Sequence, residues 1–209
     1  MTIYCMSDIH GHFEAFEKAL QSVDPVDPDT RLILLGDYLD GPDDDAVMEC
    51  VIELKKQYGN RMTVLLGNHE QPIWLGAEPH KYENFIRKEM KKNKVIGNYI
   101  FVHAGVNENL GADWMHSDEG TFMEKYPPTY GKFEKTIIAG HTGTNSIRKQ
   151  LGLPESYHIY FDRESHFYID GTVQESGVIP VLMICDTGVY EIYDGVKTLI
   201  IGEKGLKQQ

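Results

Sequence analysis

Residues 31–40 read RLILLGDYLD, an apolar stretch that ends in a glycine and two aspartates. The aliphatic run 32–35 predicts a buried β-strand, because strands covered on both faces are apolar throughout and do not alternate with polar residues. Residues 36–42 predict a loop, and residues 45–58 carry apolar side chains at helical spacing. This stretch therefore indicates a strand, a polar loop and a helix, in that order.

The same order occurs on both sides of this stretch. Residues 1–7 predict a short strand that precedes a polar loop over 7–12 and a helix. Residues 62–66 predict a third strand, which leads into the polar sequence 67–70. Strands that alternate with helices, each strand ending in a polar loop, indicate an α/β fold with its site at the carboxyl ends of the strands.

The second half of the chain is less helical. Apolar runs predict further strands, and we expect these to form a second sheet; they cover 99–102, 136–139, 157–161, 178–185, 189–193 and 198–201. The segment 107–135, rich in glycine, proline and aromatic residues, is predicted to be a lid or substrate loop. Neither a repeat nor a linker interrupts the sequence, so residues 1–209 are predicted to form a single domain.

Composition narrows the classes of partner. The chain has 209 residues, of which 32 are acidic and 20 basic, giving a formal net charge of -12. This charge argues against binding to a nucleic acid polymer or to an anionic membrane. The first residues do not resemble a signal peptide, and no apolar run reaches the roughly 20 residues of a membrane span. With three scattered cysteines that are expected to be reduced, the sequence predicts a cytoplasmic protein.

Polar side chains with ligand chemistry follow five of the apolar strands. They are Asp8 with His10, Asp37 with Asp40, Asn68 with His69, His103, and His141. Carboxylate, imidazole and amide oxygen are the ligands that hard and borderline divalent ions accept, and an α/β fold brings strand ends together. One such pair alone would be weak evidence. Five in order, each directly after a buried strand, predict a metal site.

At this point the sequence resembles the calcineurin-like metallophosphoesterases, in particular the branch of serine/threonine protein phosphatases and bacterial diadenosine tetraphosphate hydrolases. The matching motifs are Ser7-Asp8-Ile9-His10-Gly11, Gly36-Asp37-Tyr38-Leu39-Asp40, Gly67-Asn68-His69-Glu70, Val102-His103-Ala104-Gly105 and Gly140-His141-Thr142. The resemblance runs from the first strand to about residue 188. It implies an α/β four-layer sandwich, with two facing mixed β-sheets flanked by helices and a site for two metal ions at the strand ends.

The resemblance also implies a role for each matching residue. Asp8 and His10 would hold the first ion, Asp37 would bridge both ions, and Asn68, His103 and His141 would hold the second. His69 would be the general acid that protonates the leaving oxygen, and Asp40 would orient it. The residues themselves do not select the metals, since such ligands accept manganese, iron, zinc or nickel.

Elementary chemistry supports these roles. Two cations roughly 3.5–4 Å apart can activate a water and clamp the attacking and leaving oxygens of a phosphoryl group. A carboxylate such as Asp37 suits the bridging position, because it offers two anionic oxygens. An imidazole beside the site can protonate a leaving alkoxide, and a carboxylate on its far nitrogen fixes its tautomer.

The sequence departs from the family pattern where relatives carry phosphate-binding arginines. Gly41 and Pro42 follow Asp40 in place of an arginine, and no arginine occurs between His103 and His141. Arginine binds phosphate oxygens in a bidentate geometry that lysine cannot copy. His116, Arg148 and its neighbour Lys149 are the candidates for substrate binding in place of these arginines.

The predicted function is metal-dependent hydrolysis of a phosphate monoester by a hydroxide held between two divalent ions. Within this class the motifs favour a serine/threonine protein phosphatase-like enzyme, acting on a phosphorylated protein or peptide or on a small phosphoester. One alternative is a dinucleoside polyphosphate hydrolase, such as a diadenosine tetraphosphate hydrolase. A second is a metal-binding regulatory module that is catalytically weak because the arginines are missing.

Overall fold

The computed structural model describes residues 1–202, so the last seven residues of the predicted domain lie outside the described part of the chain. The helices are α1 Phe13–Leu20, α2 Asp44–Tyr58, α3 Gln71–Leu75, α4 Glu83–Glu89, α5 Glu119–Glu124, α6 Thr144–Gln150 and α7 Val173–Ser176, with 3₁₀ segments at Gly59–Arg61 and Glu108–His116. Within residues 1–202, no helix has both the length and the apolar character needed to cross a bilayer.

Eleven strands alternate with these helices along the described residues. They are β1 Thr2–Met6, β2 Thr30–Leu34, β3 Met62–Val64, β4 Asn93–Ile96, β5 Tyr99–Val102, β6 Thr136–Ala139, β7 Tyr160–Phe161, β8 His166–Tyr168, β9 Val181–Cys185, β10 Gly188–Tyr193 and β11 Val196–Gly202. The strand, loop and helix units predicted around residues 1–20, 31–58 and 62–70 are therefore present.

The strands form two mixed sheets. The first has the order β11-β10-β9-β1-β2-β3, in which β1, β2 and β3 are parallel and β9, β10 and β11 run antiparallel to their neighbours. The second has the order β4-β5-β6-β8-β7, in which β5, β6 and β8 are parallel. The parallel strands in the middle of each sheet bring their carboxyl ends to one edge.

Successive residues of the central strands enter two different cores. Ile3 and Cys5 of β1 pack in the cluster that contains Phe101 of β5 and Phe167 of β8, so this core lies between the sheets. Tyr4 and Met6, their neighbours in β1, belong to a larger cluster with helical residues such as Phe16 of α1, Val51 of α2 and Ile147 of α6. The fold is therefore two facing mixed sheets with helices on the outer faces, as predicted.

The sheet assignment of the last three strands differs from the prediction. We expected every strand of the second half to join a second sheet, whereas β9, β10 and β11 extend the first sheet beyond β1. Cys5 of β1 pairs with Leu182 of β9. The free edge of β1 needs hydrogen-bond partners, and a strand about 180 residues away supplies them. An apolar pattern indicates that a segment is a strand. It does not indicate which sheet edge that strand will pair with.

A buried polar network attaches segment 107–135 to the second sheet. Nε2 of His166 lies 3.5 Å from a Glu108 oxygen, and its Nδ1 lies 3.0 Å from Oδ2 of Asp162. Glu108 also pairs with Lys125, and the Tyr168 hydroxyl donates to the Thr129 carbonyl over 2.6 Å. The His166 side chain is only 2% exposed. The segment that was predicted as a lid is thus held at several points by charged and hydrogen-bonded groups.

The pH dependence of this network follows from two pKa shifts in opposite directions, one of His166 and one of Glu108. Burial disfavours the His166 cation, but the Asp162 and Glu108 carboxylates outweigh it and raise the pKa of His166 above 6.5. Burial alone would raise the pKa of Glu108, and its bonds to His166 and Lys125 instead lower it from 4.5 to about 2. The His166 imidazolium contributes its full share of the folding stability below pH 6.5 and less as the pH rises. The Glu108 carboxylate contributes its full share above pH 4.5.

We therefore expect the variant His166→Gln to lose more stability at acidic than at alkaline pH. Urea unfolding of both proteins at about pH 6 and pH 9 measures the difference, since both His166 and Glu108 are charged at the lower value. The free energy of unfolding of the wild type should exceed that of the variant more at pH 6. An equal difference at both pH values would contradict a charged His166.

Candidate dimetal centre

The loops that follow β1, β2, β5 and β6 meet at one edge of the two sheets. The backbone N–H of Asp8 donates to the Gly36 carbonyl over 3.1 Å, which joins the first two loops. The N–H of Gly140 donates to the His103 carbonyl over 2.8 Å, which joins the loops of the second sheet. The predicted ligands, which lie up to 133 residues apart in sequence, are thereby placed side by side.

The backbone of this edge is strained. Of the eight non-glycine residues between 1 and 202 that have a positive φ in the left-handed region, five are predicted site residues: Asp8, His10, Asp37, Asp40 and His141. Such conformations are costly for residues with a Cβ and persist where the surrounding structure enforces them, which is common at functional sites. The strain supports a functional role for this edge and not merely a structural one.

Two glycines allow the loops to approach each other. A Cβ added at Gly67 would lie 2.1 Å from Oδ1 of Asp37, and one at Gly140 would lie 2.1 Å from Oδ2 of Asp8. Neither distance leaves room for an atom. Glycine is therefore needed at both positions because the backbone of one loop touches a predicted ligand of another.

Asp37 occupies the centre of the site. Its Oδ2 lies 3.3 Å from Nε2 of His103, 3.7 Å from Nε2 of His10 and 3.8 Å from Nε2 of His69. Two groups of possible ligand atoms result, and the atoms of each lie within 4.8 Å of one another. One contains His10, Asp37 and His69, and the other contains Asp37, His103 and His141. Asp37 is the carboxylate that both groups share.

Backbone carbonyls set the tautomers of two of these histidines. Nδ1 of His10 lies 3.1 Å from the Leu39 carbonyl, and Nδ1 of His103 lies 3.0 Å from the Leu35 carbonyl. A carbonyl only accepts, so each Nδ1 carries a proton, and Nε2, on the side of Asp37, is the ring atom left to coordinate an ion. This arrangement is typical of metal-ligating histidines, whose far nitrogen donates to a neighbouring oxygen.

The Asn68 amide completes the second group. Its Oδ1 lies 2.9 Å from Nε2 of His103 and 2.9 Å from Nδ1 of His141. If both rings were neutral with lone pairs turned inward, three electron-rich atoms would face one another without a proton between them. A divalent cation among them would satisfy all three, so the donor set fits a metal ion.

The electrostatics of the site favour positive charge. Burial opposes ionisation of Asp37, but His103 and the other histidines outweigh it and hold its pKa well below the usual range. Burial opposes protonation of His103, yet Asp37, Asp8 and Glu70 raise its pKa to about 9. Burial and the charge of His103 lower the pKa of His141 to about 4. The Asp37 carboxylate and the His103 ring therefore attract a cation or a proton strongly, while His141 offers a neutral imidazole.

Asp8 and a carboxyl that the sequence analysis missed lie behind the histidines. Asp8 is 2% exposed, and both its oxygens accept the backbone N–H of His141 at 3.1 and 3.0 Å. Burial raises its pKa to about 6, although His103 opposes this. Asp170 follows β8, and burial together with the charge of Asp8 raises its pKa far above the usual range. Asp170 follows an apolar strand, as the other predicted ligands do, and this signal could have identified it.

His69 pairs with Asp40 at the solvent side of the site. Nδ1 of His69 contacts Oδ2 of Asp40, and the histidine side chain is 33% exposed. Burial lowers the pKa of His69, but the hydrogen bond to Asp40 outweighs it and the net shift is upward. Nε2 of His69 faces Asp37 over 3.8 Å. An imidazole oriented in this way can either donate a proton or coordinate an ion.

Two of the three candidates for substrate binding, Arg148 and His116, do not join this cluster. The Arg148 guanidinium donates to the carbonyls of His158 and Ile159 at 2.9 and 3.3 Å and lies 5.5 Å from the centre of the Tyr160 ring. Those bonds direct it to the far side of α6. His116 ends the 3₁₀ segment Glu108–His116 and is exposed.

Glu70 organises the loop that carries Asp37, and the sequence analysis gave it no role. Its Oε1 accepts the backbone N–H groups of Tyr38 and Leu39 at 2.8 and 3.1 Å. Its Oε2 accepts those of Asp37 and Gly67 at 3.0 and 3.2 Å. Three of these partners are 31 to 33 residues away in sequence, so no local pattern reveals them.

Comparison with known proteins agrees with this geometry. Residues 1–171 match the calcineurin-like phosphoesterase family, and the chain belongs to that family. The likeness in fold extends further: the solved structure of a cold-active protein tyrosine phosphatase superposes with a TM-score of 0.69 at 13% identity, covering 97% of this chain and 79% of that one. This likeness shows the fold alone.

Two curated relatives have different names. A symmetrical bis(5'-nucleosyl)-tetraphosphatase of Delftia acidovorans is 35% identical over 79 residues, which is 37% of this chain and 27% of the relative. A PP2A-like serine/threonine-protein phosphatase PPG1 of Saccharomyces cerevisiae is 39% identical over 66 residues, 31% of this chain and 18% of the relative. The chain thus spans less than a third of either relative. Family and relatives together support a phosphoric ester hydrolase.

We expect the variant Glu70→Gln to unfold about 1–3 kcal/mol more easily than the wild type. The glutamine oxygen can still accept two of the four N–H groups, but its amide would face the other two donors and leave them buried without partners. Urea unfolding above pH 7.5, with the exposed Glu49→Gln variant as control, measures the change. Stability equal to that of the wild type would show that Glu70 does not hold this loop.

Proposed function

We propose that this domain hydrolyses phosphate esters with the help of two divalent metal ions. The observation that carries the proposal is the Asp37 carboxylate, which is shared by a group containing His10 and a group containing His103 and His141. An anionic oxygen donor between two sets of histidine nitrogens is the arrangement that a bridged pair of ions requires. The family membership supports the same reaction class.

The residues divide between the two ions as the family resemblance implies. Asp8, His10 and Asp37 would hold one ion, and Asp37, Asn68, His103 and His141 would hold the other. Their carboxylate, amide and imidazole donors accept manganese, iron, zinc or nickel. When bound, such ions act as Lewis acids that lower the pKa of water and neutralise the developing charge on a phosphoryl group.

His69, oriented by Asp40, would donate a proton to the leaving group. The Asp40 carboxylate receives Nδ1–H of His69, so a protonated ring presents Nε2–H to the site. The upward shift in the pKa of His69 keeps more of the acid form near neutral pH. Donation of this proton to the departing oxygen converts a poor alkoxide leaving group into an alcohol.

The substrate remains a choice between two classes. The motifs favour a protein serine/threonine phosphatase-like activity, and the PPG1 relative supports it. A dinucleoside polyphosphate hydrolase is the second candidate, which the Delftia acidovorans relative supports. A regulatory module without activity is the third reading, since the phosphate-binding arginines of the family are missing. The His69 and Asp40 pair argues against this reading, because a module without activity needs no acid.

The reaction class is tested with para-nitrophenyl phosphate across several divalent metals. We expect metal-dependent turnover that falls about 100-fold or more in Asp37→Asn, because both ions lose a ligand. We expect His69→Ala to stay within about tenfold, because nitrophenolate leaves without an acid. The exposed Asp186→Asn variant is the matched control.

Metal content separates the outcomes of this experiment. Wild-type protein should bind two ions per chain and Asp37→Asn fewer, as measured by elemental analysis after gel filtration. If the wild type binds two ions and turns over no phosphoester with any metal, the regulatory reading replaces the enzymatic one.

The substrate class is tested by comparing kcat/KM on a phosphoserine peptide and on diadenosine tetraphosphate. We expect the peptide to be the better substrate if the motif preference is right. On the phosphoserine peptide, whose alkoxide leaving group needs a proton, His69→Ala should reduce kcat by about 10²–10⁴-fold, whereas the nucleotide phosphate that leaves diadenosine tetraphosphate departs without an acid and should lose less. A large advantage for the dinucleotide would overturn the order of the two candidates.

A further inference from the structure

A cleft of about 440 Å³ opens beside the predicted metal ligand His141. Its wall on one side is α6, which contributes Ser146, Lys149 and Gln150. Tyr126 of segment 107–135 forms the other side. The cleft therefore adjoins the candidate metal centre at His141 and is shared between α6 and segment 107–135.

Of the two adjacent cations on α6, only Lys149 reaches this cleft. Arg148 faces the opposite way and has its guanidinium bonded to two carbonyls and placed over Tyr160. Lys149 is exposed, and its ammonium makes no hydrogen bond or ion pair with the residues between 1 and 202, although its backbone carbonyl accepts the N–H of Gly152. Its ammonium is thus available to a ligand in the cleft, whereas the Arg148 guanidinium is already engaged.

Tyr126 gives the same cleft an exposed aromatic face. The residue is 65% exposed, although it is large and apolar. Nε2 of Gln150 donates to its hydroxyl over 2.9 Å, which fixes the ring relative to α6. An oriented aromatic ring with a free face offers a stacking surface for a planar group, and a free ammonium nearby offers a partner for an anion.

We infer that Lys149 is a specificity-determining residue that binds a second anionic group of the substrate, next to the phosphoryl group being cleaved. The substrate class this favours carries two or more linked phosphates, and Tyr126 stacks on a planar group beyond them. This inference rests on the proposed function, because it places the scissile phosphate at the metal centre beside His141. It favours the second of the two proposed substrate classes, whereas the motifs favour a phosphorylated protein or peptide. Of the three candidates that the sequence offered for substrate binding, it retains Lys149 in place of Arg148 and His116.

The negative charge of the chain explains why a free lysine in this cleft matters for binding phosphates. The formal net charge is -12, so a substrate with several phosphates is repelled by the protein as a whole and needs a local cation. Lysine binds phosphate as a point charge and does not fix its orientation. A site that relies on Lys149 should therefore respond to the number of phosphates in a substrate more than to their geometry.

The first test compares substrates with one and several phosphates. We expect Lys149→Ala to raise the KM for diadenosine tetraphosphate about tenfold and to leave para-nitrophenyl phosphate within about twofold. Lys149→Arg should restore most of the loss, since it keeps the charge. The exposed Lys88→Ala variant controls for a general change in charge. Equal effects of Lys149→Ala on both substrates would overturn the inference and leave the proposed function intact.

A binding measurement tests the inference independently of turnover. Inorganic tripolyphosphate, titrated calorimetrically into manganese-loaded wild type and Lys149→Ala, should bind about tenfold more weakly to the variant. Unchanged binding would overturn the role of Lys149. If the wild type hydrolyses nothing, the proposed function fails, and this measurement still decides whether Lys149 binds a chain of phosphates.

The role of Tyr126 separates a nucleotide from a bare polyphosphate. We expect Tyr126→Ala to weaken binding of ADP about fivefold or more and to leave tripolyphosphate unchanged, because stacking needs a planar base. Tyr126→Phe keeps the ring and should bind ADP as the wild type does. Equal loss of both ligands in Tyr126→Ala would contradict stacking and would assign the ring only to the shape of the cleft.

Discussion

Mutual repulsion among buried carboxyl groups is the constraint on which this edge of the fold depends. Asp8, Asp37, Glu70 and Asp170 are all buried, and neighbouring negative charges disfavour ionisation of Asp8, Glu70 and Asp170. Burial and the charge of Asp37 raise the pKa of Glu70 to about 7. Such a group of acids is stable only where positive charge and backbone donors balance it. Here the histidines, the backbone N–H groups and the proposed cations supply that balance.

The rest of the fold serves to hold this arrangement in place. Five site residues have left-handed backbone conformations, and such strain is maintained only by a rigid surrounding structure. Two cores provide it, one between the sheets and one between the sheets and the helices. Glu70 then ties the loop of Asp37 to that of Gly67 through four backbone N–H groups. The site is thus preorganised by residues outside the set of proposed metal ligands.

Substrate recognition is where this chain departs most from its family pattern. Arginines that relatives place around the phosphate are missing, and Arg148 contacts backbone carbonyls instead. In the proposed mode of recognition, Lys149 and the exposed Tyr126 supply a charge and a stacking surface in place of a bidentate clamp. A substrate would then be selected by its charge and its planar groups more than by the geometry of one phosphate.

The amino-acid sequence predicts the fold class, the order of most strands and helices, and a set of donor residues that the structure brings together. It could do so because buried strands have a local apolar pattern and because parallel strands present their ends at one edge. Only the tertiary contacts show that β9 to β11 extend the first sheet, that Glu70 holds the loop of Asp37, and that Lys149 and not Arg148 lines the cleft. Each of these depends on partners that are distant in the chain or on the direction of a single side chain, and neither leaves a periodic signal in the sequence.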